Sequence, residues 1–439
     1  MFEYTPTQDT DAQLRLPTNL ERLSAAAVDA CKFGPGFVRP AYEHFCFSRL
    51  PGFFEHTLLG STERGNLPQA VTSTVGRFDH IIFVFVDAFG WQTFERFRDS
   101  AAFLREVDRN GVVLKTTSQF PSTTAAHVTT AFTGLAAYEH EICGFDYFEP
   151  GIGRMIRPLR FAFSDESPDS LGTAGYTPAD VLPQSLMIPR LVNNDVMLRF
   201  FGPKAFFPSS FNSCYAPNET LKGFDSFSHG IEQARFIVGG NPQKSYQSVY
   251  IETYDSTCHK WGFEADQSDQ AARDILRALE RFLQWSGLPR TLLVVSADHG
   301  HISDIQGGGI PINKVVPDIT TMLKRDVRGS PIRFSGGLRH LCLHPRPECE
   351  QHLLGLLRER LAGAATVMTV PELEHAGLLG PGKVKESFVS RLGTIGILPH
   401  AGYSVYWDEA PRFAYGDRSH HGGASAQEME TPLLLLPLG

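Results

Sequence analysis

The chain has 439 residues, a formal net charge of −8, 42% hydrophobic and 20% charged residues. That is the balance of a soluble globular protein of about two to three structural units, with enough chain to bury about three-quarters of its unfolded surface without staples. The acidic balance excludes a nucleic-acid scaffold and a polybasic membrane binder, but not a phosphorylated substrate, because a bound metal can dominate the field of its own site.

From the N-terminus, MFEYTPTQDTDAQLRLPTNLERL has early acids and no apolar core, so it does not read as a secretory signal. LERLSAAAVDAC predicts an amphipathic helix within a mixed stretch, residues 1–75, expected to pack on the core as an N-terminal extension. HIIFVFVDAFG is an apolar, β-branched and aromatic run that suits a strand buried on both faces of a parallel sheet. WQTFERFRDSAAFLREVDRNG follows as one helix stopped at Asn110–Gly111, and VVLKTTSQF as a second strand. PSTTAAHVTTAFTG reads as a turn, a helix start and a stop at Gly134. Residues of about 150–240, rich in Phe, Pro, Ser and Gly, are expected to be an irregular insertion with helices such as SLMIPRLVNN. The regular pattern returns with SYQSVYIETYDS (strand), SDQAARDILRALERFLQWSG (helix) and RTLLVVSADHG (strand). Residues 305–415 predict a small α+β cap around the helix ECEQHLLGLLRERLAG, and the tail ends in a last core strand, LLLLPLG. The expected fold is therefore α/β, with helices sandwiching a mainly parallel central sheet. The core spans 76–304 plus 416–439. No run of about 18 apolar residues occurs, so no membrane span is expected. Seven scattered cysteines form no CxxC pair, which points to a reducing compartment, the cytoplasm.

Ligands of open α/β sheets gather at the carboxyl ends of the strands. Asp87, the pair Asp255 and His259, the pair Asp298 and His299, and the pair His420 and His421 all fall at such positions or just before the last strand. Each alone could be a cap or a turn. Together they would be costly unless cations neutralised them. Mixed Asp and His donors suit zinc, with other divalent metals as alternatives, and their number suits two ions.

In these residues the chain resembles the alkaline phosphatase superfamily, and most closely its type I phosphodiesterase/nucleotide pyrophosphatase branch. The resemblance rests on FVDAFG, FPSTTAAHVTTAFTG, DSTCH, DHG and His421–Gly422, within residues 80–148, 245–301 and 416–439. It implies an alkaline phosphatase-like three-layer sandwich, with Thr124 as nucleophile and a phospho-threonine-type intermediate. It implies one zinc held by Asp87, Asp298, His299 and the Thr124 oxygen, and another held by Asp255, His259 and His421, with His420 as the rival last ligand. Two ions against three aspartates leave a single residual positive charge, suited to a phosphoryl group. Ser122 and Thr123 are rival hydroxyls or helix caps.

His127 stands where the branch places an Asn that donates to a phosphoryl oxygen, and is expected either to take over that role or to pack in the helix. His140 is expected to be structural. No Arg stands beside Thr124 to clamp a monoester dianion, which favours diesters, unless Arg154, Arg157, Arg160 or Lys204 reaches in from the insertion. Tyr147, Phe148 and Tyr254 are the candidates for stacking a base. The expected activity is hydrolysis of a small phosphoester or nucleotide, with no stable nucleic-acid complex and no membrane partner. A phosphomonoesterase or phosphonate hydrolase of the same superfamily is the alternative, the cofactor-independent phosphoglycerate mutase branch a more distant one, and a non-catalytic interaction module the alternative from another class. The C/S-x-P-x-R of sulfatases does not precede the helix.

Overall fold

The computed structural model describes residues 16–240, 243–284, 288–409 and 416–438. The first residues, read as lacking a secretory signal, and 410–415 of the expected cap lie outside them.

Seven strands form the central sheet: β1 (His80–Val86), β2 (Val112–Thr117), β3 (Met197–Pro203), β4 (Leu221–Phe224), β5 (Ser245–Ile251), β6 (Thr291–Ser296) and β7 (Glu430–Leu438). Their order is β2-β7-β6-β1-β5-β3-β4. All run parallel except β7, which is antiparallel to both neighbours. The reason β1 has no polar alternation is now visible. Ile81, Phe83 and Phe85 enter one apolar core, and Ile82, Val84 and Val86 the core on the opposite face. Helices cover both faces, giving the three-layer α/β architecture.

Three expectations need correction. The helix expected from Trp91 is two, Trp91–Arg98 and Ala102–Asn110, broken at Asp99–Ser100. The strand expected across SYQSVYIETYDS stops at Ile251, and a helix, α2 (Thr253–Trp261), starts before Asp255. The region of about 150–240 is not wholly irregular, because it supplies β3 and β4 of the central sheet. Their Phe, Gly and Pro content hid them, since both Gly and Pro disfavour a central strand.

The cap strands Ser335–Gly337, His340–Leu343, Ile395–Pro399 and Ala365–Thr369 form an antiparallel sheet in that order. With the helix Glu350–Arg360 they enclose a separate core built on Leu341, Leu343, Leu353, Leu357, Ile395 and Ile397. No helix among the described residues is long and apolar enough to cross a membrane.

Because β7 is antiparallel, the loop before it ends at the same sheet edge as the carboxyl ends of β1, β5 and β6. That one reversal brings His421 to the edge where Asp87, Asp255 and Asp298 already lie.

Candidate metal centre and nucleophile

Asp87 follows β1 directly and is buried. The next residue, Ala88, has φ +64°, a left-handed conformation costing a non-glycine residue about 1–2 kcal/mol. Its N–H donates to Asp298 Oδ1 at 3.0 Å, which ties the β1 turn to the β6 turn. Gly300 lets the two turns meet. A Cβ there would run into the carbonyl of Gln427, and a Cβ on Gly90 would lie 2.6 Å from the Gly300 Cα. Gly300→Ala is therefore expected to cost about 1–3 kcal/mol by overpacking, read as a lower melting temperature. An unchanged melt would contradict this packing.

The helix α1 (Thr124–Thr133) begins at Thr124 and stops at Gly134, where φ is +76°. Of the three neighbouring hydroxyls, Ser122 is buried and donates to Gly423 O at 2.7 Å. Thr123 is buried and is the N-cap residue, but makes no side-chain cap bond. Capping, the alternative role of these hydroxyls, is not made by Thr123 at the N-cap. Thr124 is partly exposed, with Oγ1 3.3 Å from His299 Nε2 and 3.4 and 3.5 Å from the Asp87 carboxylate oxygens.

The structure gathers the sequence-derived residues into two groups. Asp87, Asp298 and His299 offer ligand atoms close enough to share an ion. So do Asp255, His259 and His421, joined by His301. On α2 the i, i+4 spacing puts Asp255 and His259 on one face. A third group, His259, Asp417 and His420, includes the rival histidine, but it is His421 Nε2 that lies 3.7 Å from Asp255 Oδ1. The rings of His299 and His421 stack at 3.7 Å between centroids, so the first two groups adjoin.

Nδ1 of His259, His299 and His421 lies 2.9, 3.0 and 3.1 Å from the carbonyls of Ser419, Gly300 and Ser122. A carbonyl only accepts, so Nδ1 carries the proton in each and Nε2 is left as a donor atom for a metal. Asp298 Oδ2 is buried and accepts no hydrogen bond from the described residues. Burial and the nearby Asp298 and Asp255 push the Asp87 carboxyl well above its usual range. Burial also opposes ionisation of Asp255, but His259, His301 and His421 outweigh it and hold that carboxyl well below the usual range. Carboxylates that repel in a buried site, faced by imidazole lone pairs, fit divalent cations.

The three residues considered for substrate contacts are all buried. Tyr254 is fully buried and its hydroxyl bonds Thr93 at 2.9 Å, because α2 turns it into the core. Tyr147 is fully buried with its ring facing the Arg391 guanidinium. His127 is buried, with Nδ1 2.8 Å from Thr123 O and Nε2 accepting from Gln119 N at 2.9 Å. Burial lowers its pKa to about 4, so the ring is neutral and braces the turn that leads into α1. His140 is likewise buried, with Nε2 3.0 Å from Ala126 O.

Two site residues were missed. Tyr250, near the end of β5, donates its hydroxyl to Asp87 Oδ2 and keeps its ring partly exposed. Its signal was its place one residue before the end of an apolar strand. His301 is fully buried against Asp255. Its signal was a second imidazole two residues after His299. The insertion's cations are engaged elsewhere: Arg154 with Asp165 and Glu166, Arg157 with Asp146, Lys204 with Asp225. Arg160 is exposed.

Residues 81–172 match the family model of type I phosphodiesterase/nucleotide pyrophosphatase. The match contains Asp87 and Thr124, while the other metal-competent residues lie outside it. Murine ectonucleotide pyrophosphatase/phosphodiesterase 5 is similar in structure, with TM-score 0.56 and 15% identity over 80% of this chain and 87% of that one. The human protein of the same name gives TM-score 0.57 and 14% identity over 81% and 87%. An inactive murine form in complex with AMP gives TM-score 0.57 and 14% identity over 80% and 87%. At such identity these likenesses establish the fold. No curated protein sequence matches the chain.

Proposed function

We propose, from the premise that this chain resembles the type I phosphodiesterase/nucleotide pyrophosphatase branch and is a hydrolase of phosphoric ester or anhydride bonds, that it cleaves nucleotide-type diesters through Thr124. The observation that carries this is the position of Thr124 Oγ1. It is the partly exposed hydroxyl of its segment, at a helix N-terminus and within 3.5 Å of His299 and Asp87. Bound divalent ions, zinc by donor set, would be held by Asp87, Asp298 and His299 and by Asp255, His259 and His421, and would supply Lewis acidity that acidifies a nearby hydroxyl and offsets phosphoryl charge.

The chain's own residues supply the rest. The Thr124 hydroxyl gives up its proton as the Oγ–P bond forms, and the ester or anhydride bond to the leaving group breaks, the leaving oxygen departing as an anion or with a proton taken up. Water then cleaves the Oγ–P bond of the phospho-threonine-type intermediate, releasing the second product as its phosphate and returning a proton to Oγ. The first turn of α1 directs its free N–H groups and the positive end of its dipole at the phosphoryl oxygens. Asp87 is steadied by the Tyr250 hydroxyl. The ring of Tyr250 and that of Phe206, 6.4 Å apart and both accessible, are better placed to stack a nucleobase than the buried Tyr147 and Tyr254. A nucleotide fits the AMP held by the inactive murine relative. The pairing of Arg154, Arg157 and Lys204 elsewhere favours a diester over a monoester dianion. Seven cysteines without disulfides support a reducing, cytoplasmic setting.

The test is zinc content with turnover of two substrates. About two zinc ions per chain are expected, with bis(p-nitrophenyl) phosphate hydrolysed faster than p-nitrophenyl phosphate. Chelation should abolish both activities and added zinc restore them. Monoester preference would make it a phosphatase, and a metal-free inert protein an interaction module.

A further inference from the structure

The second metal group contains one imidazole more than its ion requires, and the distances separate its members. His259 and His421 Nε2 lie 3.5 and 3.7 Å from Asp255 Oδ1. His301 Nε2 lies 2.8 Å from the same oxygen. Around a tetrahedral ion with bonds of about 2.0–2.1 Å, two ligand atoms stand about 3.3–3.4 Å apart. His259 and His421 are near that spacing. His301 is about half an ångström too close for it and sits at hydrogen-bond distance. A carboxylate has no proton to give, so Nε2 of His301 carries one, and a protonated nitrogen has no lone pair for a metal.

We propose that His301 is a positioning residue: it donates to Asp255 from outside the coordination sphere and fixes the carboxylate for the second ion. The inference rests on the proposed two-metal reading and deepens it. The surroundings hold the ring for this purpose. With its proton on Nε2, the ring accepts the Ser419 hydroxyl at Nδ1, 3.0 Å away. The Ser419 carbonyl accepts from His259 Nδ1. Ile302 and Ser303, the next residues, pair with His420 and Ser419. One network thus orients both Asp255 and His259, and its centre is a fully buried imidazole.

The experiment compares zinc binding by the full-length protein with His301→Ala and His301→Gln, using a competing chromophoric chelator, and follows the absorption of the cobalt-substituted forms. The expected result for alanine is two ions at saturation, one of them bound about 10–100-fold more weakly, with the cobalt ligand-field bands kept. The glutamine variant, whose amide can donate from the same place, should regain most of the affinity and guards against a simple folding defect. Unchanged zinc affinity in both variants, with two ions bound by the wild type, would overturn the inference alone. Loss of one ion with altered cobalt bands in both variants would make His301 a ligand instead, and also overturn it. A wild type that takes up no zinc would overturn the two-metal reading itself.

Discussion

Thr124→Ala is expected to lower diester turnover at least about 10⁴-fold, the scale on which loss of a nucleophile acts when its neighbours work as a unit. Zinc content should persist, because the Asp and His donors remain. Stability should change by less than about 1 kcal/mol, since the side chain is partly exposed and makes only long contacts of 3.3 to 3.5 Å. Thr124→Ser should retain measurable turnover, because it keeps the oxygen. Thr123→Ala is the matched control. Thr123 is buried beside the same turn, and its loss should leave the chemistry nearly intact. Single-turnover measurements with bis(p-nitrophenyl) phosphate check the order of the four proteins. If Thr124→Ala turned over at the wild-type rate, or Thr123→Ala lost all activity, the nucleophile would have to be reassigned.

What made Thr124 legible beforehand was the pattern around it. A strand-like run, a Pro, three hydroxyl residues and a helix closed by Gly134 fix a turn at the sheet edge. Asp87 and Asp298–His299 were readable because they follow runs too apolar to be anything but central strands, Asp255 and His259 because they come just after a third such run, and His421 because it shortly precedes the last one. The stacking residues were not readable in this way. Tyr250 and Tyr254 lie four positions apart on either side of a strand-to-helix junction, and a junction shifted by a few residues exchanges which ring faces the site. Reading the strand past Ile251 placed Tyr254 outward, and starting the helix at Thr253 turned it into the core. Tyr147 failed for another reason: it belongs to a short strand, Tyr147–Glu149, packed under the cap helix Glu386–Leu392. Contacts between segments about 240 residues apart leave no local trace. β3 and β4 were hidden by composition, but β7 was plain, and its antiparallel direction is what delivers His421.

Arg339→Ala is expected to be the most destabilising single change, at about 3–5 kcal/mol, because it leaves a buried carboxylate without its partner. Arg339 and Glu428 are both fully buried, and the guanidinium grips both carboxylate oxygens at 3.1 and 2.8 Å. Arg339 opens the cap strand His340–Leu343 and also donates to the carbonyls of His400 and Tyr403. Glu428 accepts from Gly423 N at 2.8 Å and from Ser425 Oγ at 2.6 Å. Gly423 O in turn takes the Ser122 hydroxyl, and Ser122 O takes His421 Nδ1. The cap is thereby wired to the segment that precedes Thr124 and to the loop that carries His421. Removing both charges should cost less than removing either one, so the double variant Arg339→Met/Glu428→Leu should melt above Arg339→Ala. The pH dependence has a definite sign. Burial favours the neutral acid, but Arg339 and the loop donors outweigh it and hold the Glu428 carboxyl below its usual 4.5. Its stabilising contribution is therefore complete above pH 4.5 and fades as the pH falls through the depressed folded value. Thermal melts from pH 7 down to about pH 3 would show the gap between wild type and Arg339→Ala narrowing only in the acid limb. A gap that was absent at pH 7, or that closed while the carboxylate was still ionised, would mean that the pair does not hold the cap to the site.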